Sequence, residues 1–172
     1  TGTPFLSTTA NASSQAGVYD ISVSKGTLVS DKYDFILTKG SLTINKATVT
    51  VTPDNKSRLY SGSDPVFTAS YSGFMNGEIL SSSDIKGQPE FTTTAGTLSP
   101  VGTYDILSAM GTLTSNNYNF VFAKGSLTIG KGTLLVKADN LTRPYGSANP
   151  VLTVTYSGFA NGDRKSTRLN SS

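Results

Sequence analysis

The sequence predicts a mainly β fold, α+β only to the extent of at most one short helix per repeat, built as tandem copies of one small domain. Three observations carry that expectation. Tyr19 recurs as Tyr104, Lys39 as Lys124, Lys46 as Lys131, Tyr60 as Tyr145 and Tyr71 as Tyr156, always 85 residues apart, and a fixed period of this kind marks a repeat architecture. Short segments alternate apolar and polar residues at period two, as half-buried strands do. Ser and Thr number 24 each among 172 residues, a composition suited to exposed strands and polar turns.

At the 85-residue offset, 1–46 and 86–131 share 23 of 46 residues, and 47–77 and 132–162 share 15 of 31, without an insertion or deletion. The chain is therefore expected to hold the C-terminal part of one repeat (1–46), a complete repeat (47–131) and the N-terminal part of a third (132–162). Starting at Thr1 without methionine and stopping inside a repeat, it is expected to be a piece of a longer protein, with both flanking parts less stable than the complete repeat. Repeat identity stops at Gly162, or at Asp163 if that residue answers Glu78. Residues 163–172 resemble the in-frame translation of a common sequencing adapter and are set aside as non-native; the alternative is a basic tail that binds nucleic acid or lipid. Without Asp163, Arg164, Lys165 and Arg168 the net charge falls from +3 to +1. Nothing electrostatic then points to nucleic acid or an anionic membrane.

Within 47–131 the elements follow in order. Thr48 to Thr52 alternates, with Val49 and Val51 on one face, and Leu134 and Val136 repeat the pattern; Pro53, which has no N–H for the ladder, ends the strand. Residues 54–64 read as a polar connection carrying Tyr60 and Gly62. Val66 to Tyr71 reads as a second strand, with Phe67, Ala69 and Tyr71 on a shared face. Asn76-Gly77 marks a turn, because both residues tolerate positive φ. Residues 78–85 are the only place for a helix, of one or two turns at most, since three serines follow Ile79 and Leu80. Strands follow at 91–94, at 101–108 with Tyr104 and Ile106 inward, and at 118–122. Lys124-Gly125 is expected to turn or bulge the chain before the last strand, 126–129. Only two or three residues join one repeat to the next, around Asn45-Lys46 and Gly130-Lys131, which predicts a restricted hinge and an extended rod.

With Tyr60-Ser61-Gly62-Ser63-Asp64-Pro65, Tyr145-Gly146-Ser147-Ala148-Asn149-Pro150 and Tyr71-Ser72-Gly73-Phe74-Met75-Asn76-Gly77-Glu78 in view, the chain resembles the bacterial MBG repeat family of the Tyr-Gly-x type. The closing Gly-Ser-Leu-Thr-Ile of 125–129 matches as well. The resemblance covers 1–162 and departs at Ser61, where the family usually has Gly. It implies a β-grasp-like domain, in which a sheet packs on a short helix; an immunoglobulin-like β-sandwich is the alternative. It also implies large secreted or surface-anchored bacterial proteins, often haemagglutinin-like or mucin-associated adhesins.

Composition removes most chemistry. The chain has no Cys and no His, hence no disulfide, no thiolate metal site and no imidazole base. No apolar run is long enough to span a membrane as a helix. Of the carboxylates in the complete repeat (Asp54, Asp64, Glu78, Asp84, Glu90 and Asp105), Asp54 and Asp105 recur as Asp139 and Asp20, which favours a scaffold role over catalysis. No enzyme activity, cofactor or metal is expected. Asp31, Asp34 and Asn116 to Asn119 lack the dense spacing of calcium loops and read as turn residues. Lys39 and Lys124 are candidates for an isopeptide bond to Asn, but read first as lysines that discourage strand-edge aggregation. Asn11-Ala12-Ser13 and Asn140-Leu141-Thr142 match glycosylation acceptors only weakly. Among the aromatic rings, alternation buries Tyr71 and Tyr156. Tyr60 and Tyr145 remain as the candidate ligand-binding residues, for a host glycan or mucin, although a core-capping role is favoured. The expected function is a non-catalytic stalk or spacer of a bacterial cell-surface or secreted adhesin, its partners being neighbouring repeats. Weak multivalent glycan binding, or an accessory module of a secreted enzyme, are the alternatives.

Overall fold

The computed structural model describes residues 1–160. They form β1 (Phe5–Thr8), β2 (Gly17–Ser24), β3 (Gly40–Ile44), β4 (Ala47–Pro53), β5 (Lys56–Leu59), β6 (Ala69–Ser72), β7 (Glu90–Thr93), β8 (Gly102–Ala109), β9 (Tyr118–Phe122), β10 (Lys124–Gly130), β11 (Leu135–Ala138) and β12 (Val154–Ser157). There is no helix among the described residues, so the fold is mainly β. The chain divides into two compact units. One gathers Thr1–Thr52, Ala69–Glu90 and Ser108–Ala123; the other gathers Pro53–Thr68, Phe91–Leu107 and the chain from Lys124 onward.

The first unit holds two three-stranded sheets, β1-β2-β3 and β6-β4-β9. In the former β2 is antiparallel to both neighbours, with Tyr19 opposite Leu42. In the latter β4 runs parallel to β9, Val49 opposite Phe120 and Val51 opposite Phe122. Val49 and Val51 alternate with threonines, so one pleated face is apolar. Both valines are fully buried, in a core shared with Ile85, Leu113 and Tyr118 and flanked by Tyr71, Phe74, Phe120 and Phe122. Each valine contributes about 1.5–3 kcal/mol by leaving water.

The second unit holds the sheet β5-β10-β8-β7 and the two-stranded β11-β12. β10 is antiparallel to β8, with Tyr104 opposite Leu127. That pairing lies 85 residues beyond Tyr19–Leu42, so the register of the first unit's β2 and β3 is kept in the copy. Ile106, Leu127, Ile129 and Ala95 are buried, and Tyr60, Phe67, Phe91 and Tyr104 pack against them. Phe67 meets Phe91 edge to face, with ring centroids 6.3 Å apart.

Four sequence expectations change. The connection after Pro53 contains β5, which pairs parallel with β10 and sets Arg58 opposite Ile129. Lys-Ser-Arg-Leu shows no apolar alternation, because the residue it buries is an arginine. The second strand is only Ala69–Ser72; Phe67 keeps the expected half-burial but serves the second unit's core, whereas Ala69 and Tyr71 serve the first's. Lys124 and Gly125 neither turn nor bulge but belong to β10. Gly125 sits where a Cβ would lie 2.4 Å from the Pro53 carbonyl oxygen, so close approach, not a turn, selects glycine. The expected helix is one hydrogen-bonded turn, in which the Ser82 and Ser83 amides both donate to the Ile79 carbonyl at 3.0 and 2.9 Å. The Ser82 and Ser83 hydroxyls also donate to the Ile79 and Leu80 carbonyls, a side-chain competition that disfavours extending the helix.

Candidate functional site

Tyr60 and Tyr145, the residues singled out for ligand binding, occupy unlike settings. Tyr60 follows β5, donates its amide to the Gly130 carbonyl at 2.8 Å and packs against the core around Ile106 and Leu127. It also lines an open cleft of about 530 Å³ with Ser61, Gly132, Leu134 and Phe159. Tyr145 is fully exposed and does not line that cleft. Within the first unit a smaller cleft, about 230 Å³, is lined by Ser13, Asn45, Asn76, Glu78, Asn117 and Tyr118, among others. It is the more polar of the two.

The motif residues serve internal contacts. Arg58 is buried and donates from Nε to Asp64 at 2.5 Å, from Nη2 to the Gly96 carbonyl at 2.7 Å, and from Nη1 to the Leu59 carbonyl at 3.3 Å. Arg143 repeats the local half of this arrangement, donating to Asn149 at 2.7 Å and to the Pro144 carbonyl at 3.3 Å. The Asp or Asn before proline in the Tyr-Gly-x-x-Asn-Pro pattern is thus the arginine's acceptor. Neither arginine is marked by hydrophobic pattern, and only their recurrence at the same offset would have flagged them. Ser61 adopts φ 64°, the region that favours glycine, and its repeat partner Gly146 has φ 82°. The departure from the family pattern keeps the backbone shape at some cost in strain.

The second motif docks on Tyr118. Phe74 meets its ring edge to face at 5.7 Å, the Met75 amide donates to its hydroxyl oxygen at 3.1 Å, and that hydroxyl donates to Glu78 Oε2 at 2.6 Å. Burial, then the Glu78 carboxylate, pushes the Tyr118 phenol up from its usual value. Gly73, at φ 97°, lets the chain pass β4 so closely that a Cβ would stand 2.6 Å from the Thr48 carbonyl oxygen. The acidic residue ending the motif is therefore a hydrogen-bond acceptor for a core tyrosine.

Other carboxylates are similarly engaged. Asp54 accepts the Thr68 hydroxyl at 2.5 Å, and Asp139 accepts Thr153 and Thr155 at 2.6 and 2.5 Å. These two bonds hold Asp139 below the usual carboxylate range. Asp105 pairs with Lys124 at 2.7 Å as Asp20 pairs with Lys39 at 2.8 Å, both exposed and so of small energetic weight. Lys39 is raised by its hydrogen bond to Asp20 and by that carboxylate's charge. Asp84 accepts the Ser115 hydroxyl at 2.6 Å and the Asn116 and Asn117 amides at 2.6 and 3.2 Å. Burial alone would raise the Asp84 carboxyl, but these bonds together hold it below its ordinary value. Asn116 and Asn117 thus form a capped turn, while Asp31 and Asp34 lie on an exposed segment. Asn11 closes its own turn by accepting the Ser13 amide and hydroxyl. Among the described residues no group of three or more acidic side chains is placed to hold a metal ion, and no helix is long and apolar enough to cross a membrane.

Strands in fixed register, motifs spent on internal ties and contacts that recur every 85 residues define a small β repeat module. The model of the MBG domain (YGX type) matches residues 49–128 and 134–172, and the chain belongs to that family. The second match includes 163–172, the segment set aside on sequence grounds, which lies outside the described residues. No curated protein and no solved structure matches the chain.

Proposed function

We propose that this chain is a non-catalytic tandem-repeat spacer from the stalk of a bacterial secreted or cell-surface adhesin. The observation that carries the reading is the recurrence of internal ties: Lys39–Asp20 as Lys124–Asp105, Asp54–Thr68 as Asp139–Thr153, and Tyr19–Gln15 as Tyr104–Pro100, both at 2.9 Å. Side chains that would otherwise be available for chemistry are used to hold each copy in shape. The richness in Ser and Thr agrees with an extracellular setting. Neighbouring repeats are the partners this reading requires.

The full exposure of the Tyr145 ring favours a second reading, weak binding of a host glycan or mucin that gains avidity from copy number. A glycan array probed with the whole chain separates the two. The spacer reading expects no specific retention. Specific binding that Tyr145→Ala or Tyr60→Ala abolishes would overturn it in favour of the second.

A further inference from the structure

We infer that Asn117 is the positioning residue of the joint between successive repeats, holding the end of 1–46 against the start of 47–131. The joint lies wholly within the first unit. Only Asn45 and Lys46 separate β3 from β4, and so short a connection restricts the hinge without choosing an angle. The choice is made by three hydrogen bonds to the 115–117 turn. The Ala16 amide, just before β2 in the preceding repeat, donates to Asn117 Oδ1 at 2.9 Å, across 101 residues of sequence. The Ala47 amide, at the start of β4, donates to the Asn117 backbone carbonyl at 2.9 Å. Lys46 Nζ donates to the Ser115 carbonyl at 2.7 Å.

One residue therefore grips both sides of the joint, by its side chain on the preceding repeat and by its backbone on the following one. The turn that presents it is itself braced: Asp84 accepts the Asn116 and Asn117 amides, and the Ser115 hydroxyl oxygen accepts those of Asn117 and Tyr118 at 3.0 and 2.9 Å. Asn117 is half-buried, so its acceptor competes with little water for the Ala16 amide. The repeat period alone does not specify this residue, because Lys32 stands at the equivalent position of 1–46 and a lysine side chain has no acceptor. The lock is thus a property of an individual repeat, and arrays mixing Asn and Lys here would alternate held and loose joints. The inference goes beyond the spacer reading and stands whether or not the repeats bind a glycan.

Amide hydrogen exchange on the full chain tests it. In Asn117→Ala, exchange at Ala16 is expected to accelerate about 5–10-fold, the worth of one hydrogen bond, while Ala47, Val49 and Val51 keep their rates. Asn117→Asp retains an acceptor oxygen and is expected to keep Ala16 protected. Asn117→Lys uses the residue that the repeat itself tolerates; it should lose Ala16 protection, and residual dipolar couplings should then report separate alignment of β1-β2-β3 and β6-β4-β9. An unchanged Ala16 rate in Asn117→Ala, a common acceleration of Ala16 and Val49, or a single alignment in Asn117→Lys would each overturn the inference.

Discussion

Val51 and Val136 are the same residue at the same position of the repeat, yet Val51 is fully buried and Val136 is 53% exposed. Arg58 and Arg143 form a second such pair, one buried and one exposed, and Tyr118 and Tyr33 a third, at 4% and 75% exposure. Local geometry is nevertheless preserved across the copies. Asp54 and Asp139 accept the equivalent threonines, and Arg58 and Arg143 reach the equivalent Asp64 and Asn149. Local sequence therefore sets turns, register and short-range ties, while burial depends on strands contributed from far along the chain. Val51 is covered because β9 lies alongside β4, and no counterpart of β9 follows β11 within these residues. A two-stranded ribbon such as β11-β12 is only marginally stable by itself.

Paired substitutions break or sharpen this contrast. The largest difference is expected at the arginines. Arg58→Ala removes a buried guanidinium and leaves the Gly96 carbonyl without that donor, costing about 2–4 kcal/mol once the partial exposure of Asp64 is allowed for. Arg143→Ala is expected to stay within about 0.5 kcal/mol. Urea unfolding of the two variants checks the pair, and equal costs would refute the contrast. Next, Val51→Ala should cost about 2 kcal/mol through lost burial and a residual cavity, against less than about 0.5 kcal/mol for Val136→Ala.

Tyr118→Phe should cost about 1–2 kcal/mol by leaving the Met75 amide and Glu78 without the hydroxyl; Tyr33→Phe, on an exposed ring, should leave the melting temperature unchanged. Smaller still, Ser61→Gly relieves a left-handed backbone and is expected to stabilise by about 0.5–1 kcal/mol. Acid unfolding adds a pH test. Asp84 is depressed on folding, so its contribution is complete above the unfolded carboxylate value, near 4, and is lost as pH falls through the lower folded value. Asp84→Asn should flatten the stability profile in that window, and an unaltered profile would show that the capped turn does not depend on the charge.

Much of the fold is legible in the sequence, for reasons visible in particular residues. Val49 and Val51 alternate with threonines and so announce β4; Asn76 and Gly77, at φ 54° and 72°, announce their turn. What escapes is whatever depends on distant partners. β5 exists because β10 pairs with it and because a buried arginine finds Asp64 and Gly96. Phe67 shares a period with Tyr71 but not a core, since period two describes a strand's faces and not where the strand ends. Tyr60 was recognisable as a candidate beside its glycine turn, whereas Tyr118, on which Phe74, Met75 and Glu78 converge, looks in the sequence like any strand residue.

Native-state hydrogen exchange at Val51 and Val136, measured in one sample of the whole chain, tests most directly whether completeness of the repeat, not its local sequence, governs stability. The Val51 amide, which faces β9 in the ladder, is expected to exchange only with global unfolding. The Val136 amide is expected to exchange at least about 100-fold faster, because its N–H points away from β12 to the side of β11 where no strand pairs with it among the described residues. Equal protection at the two positions would contradict that claim.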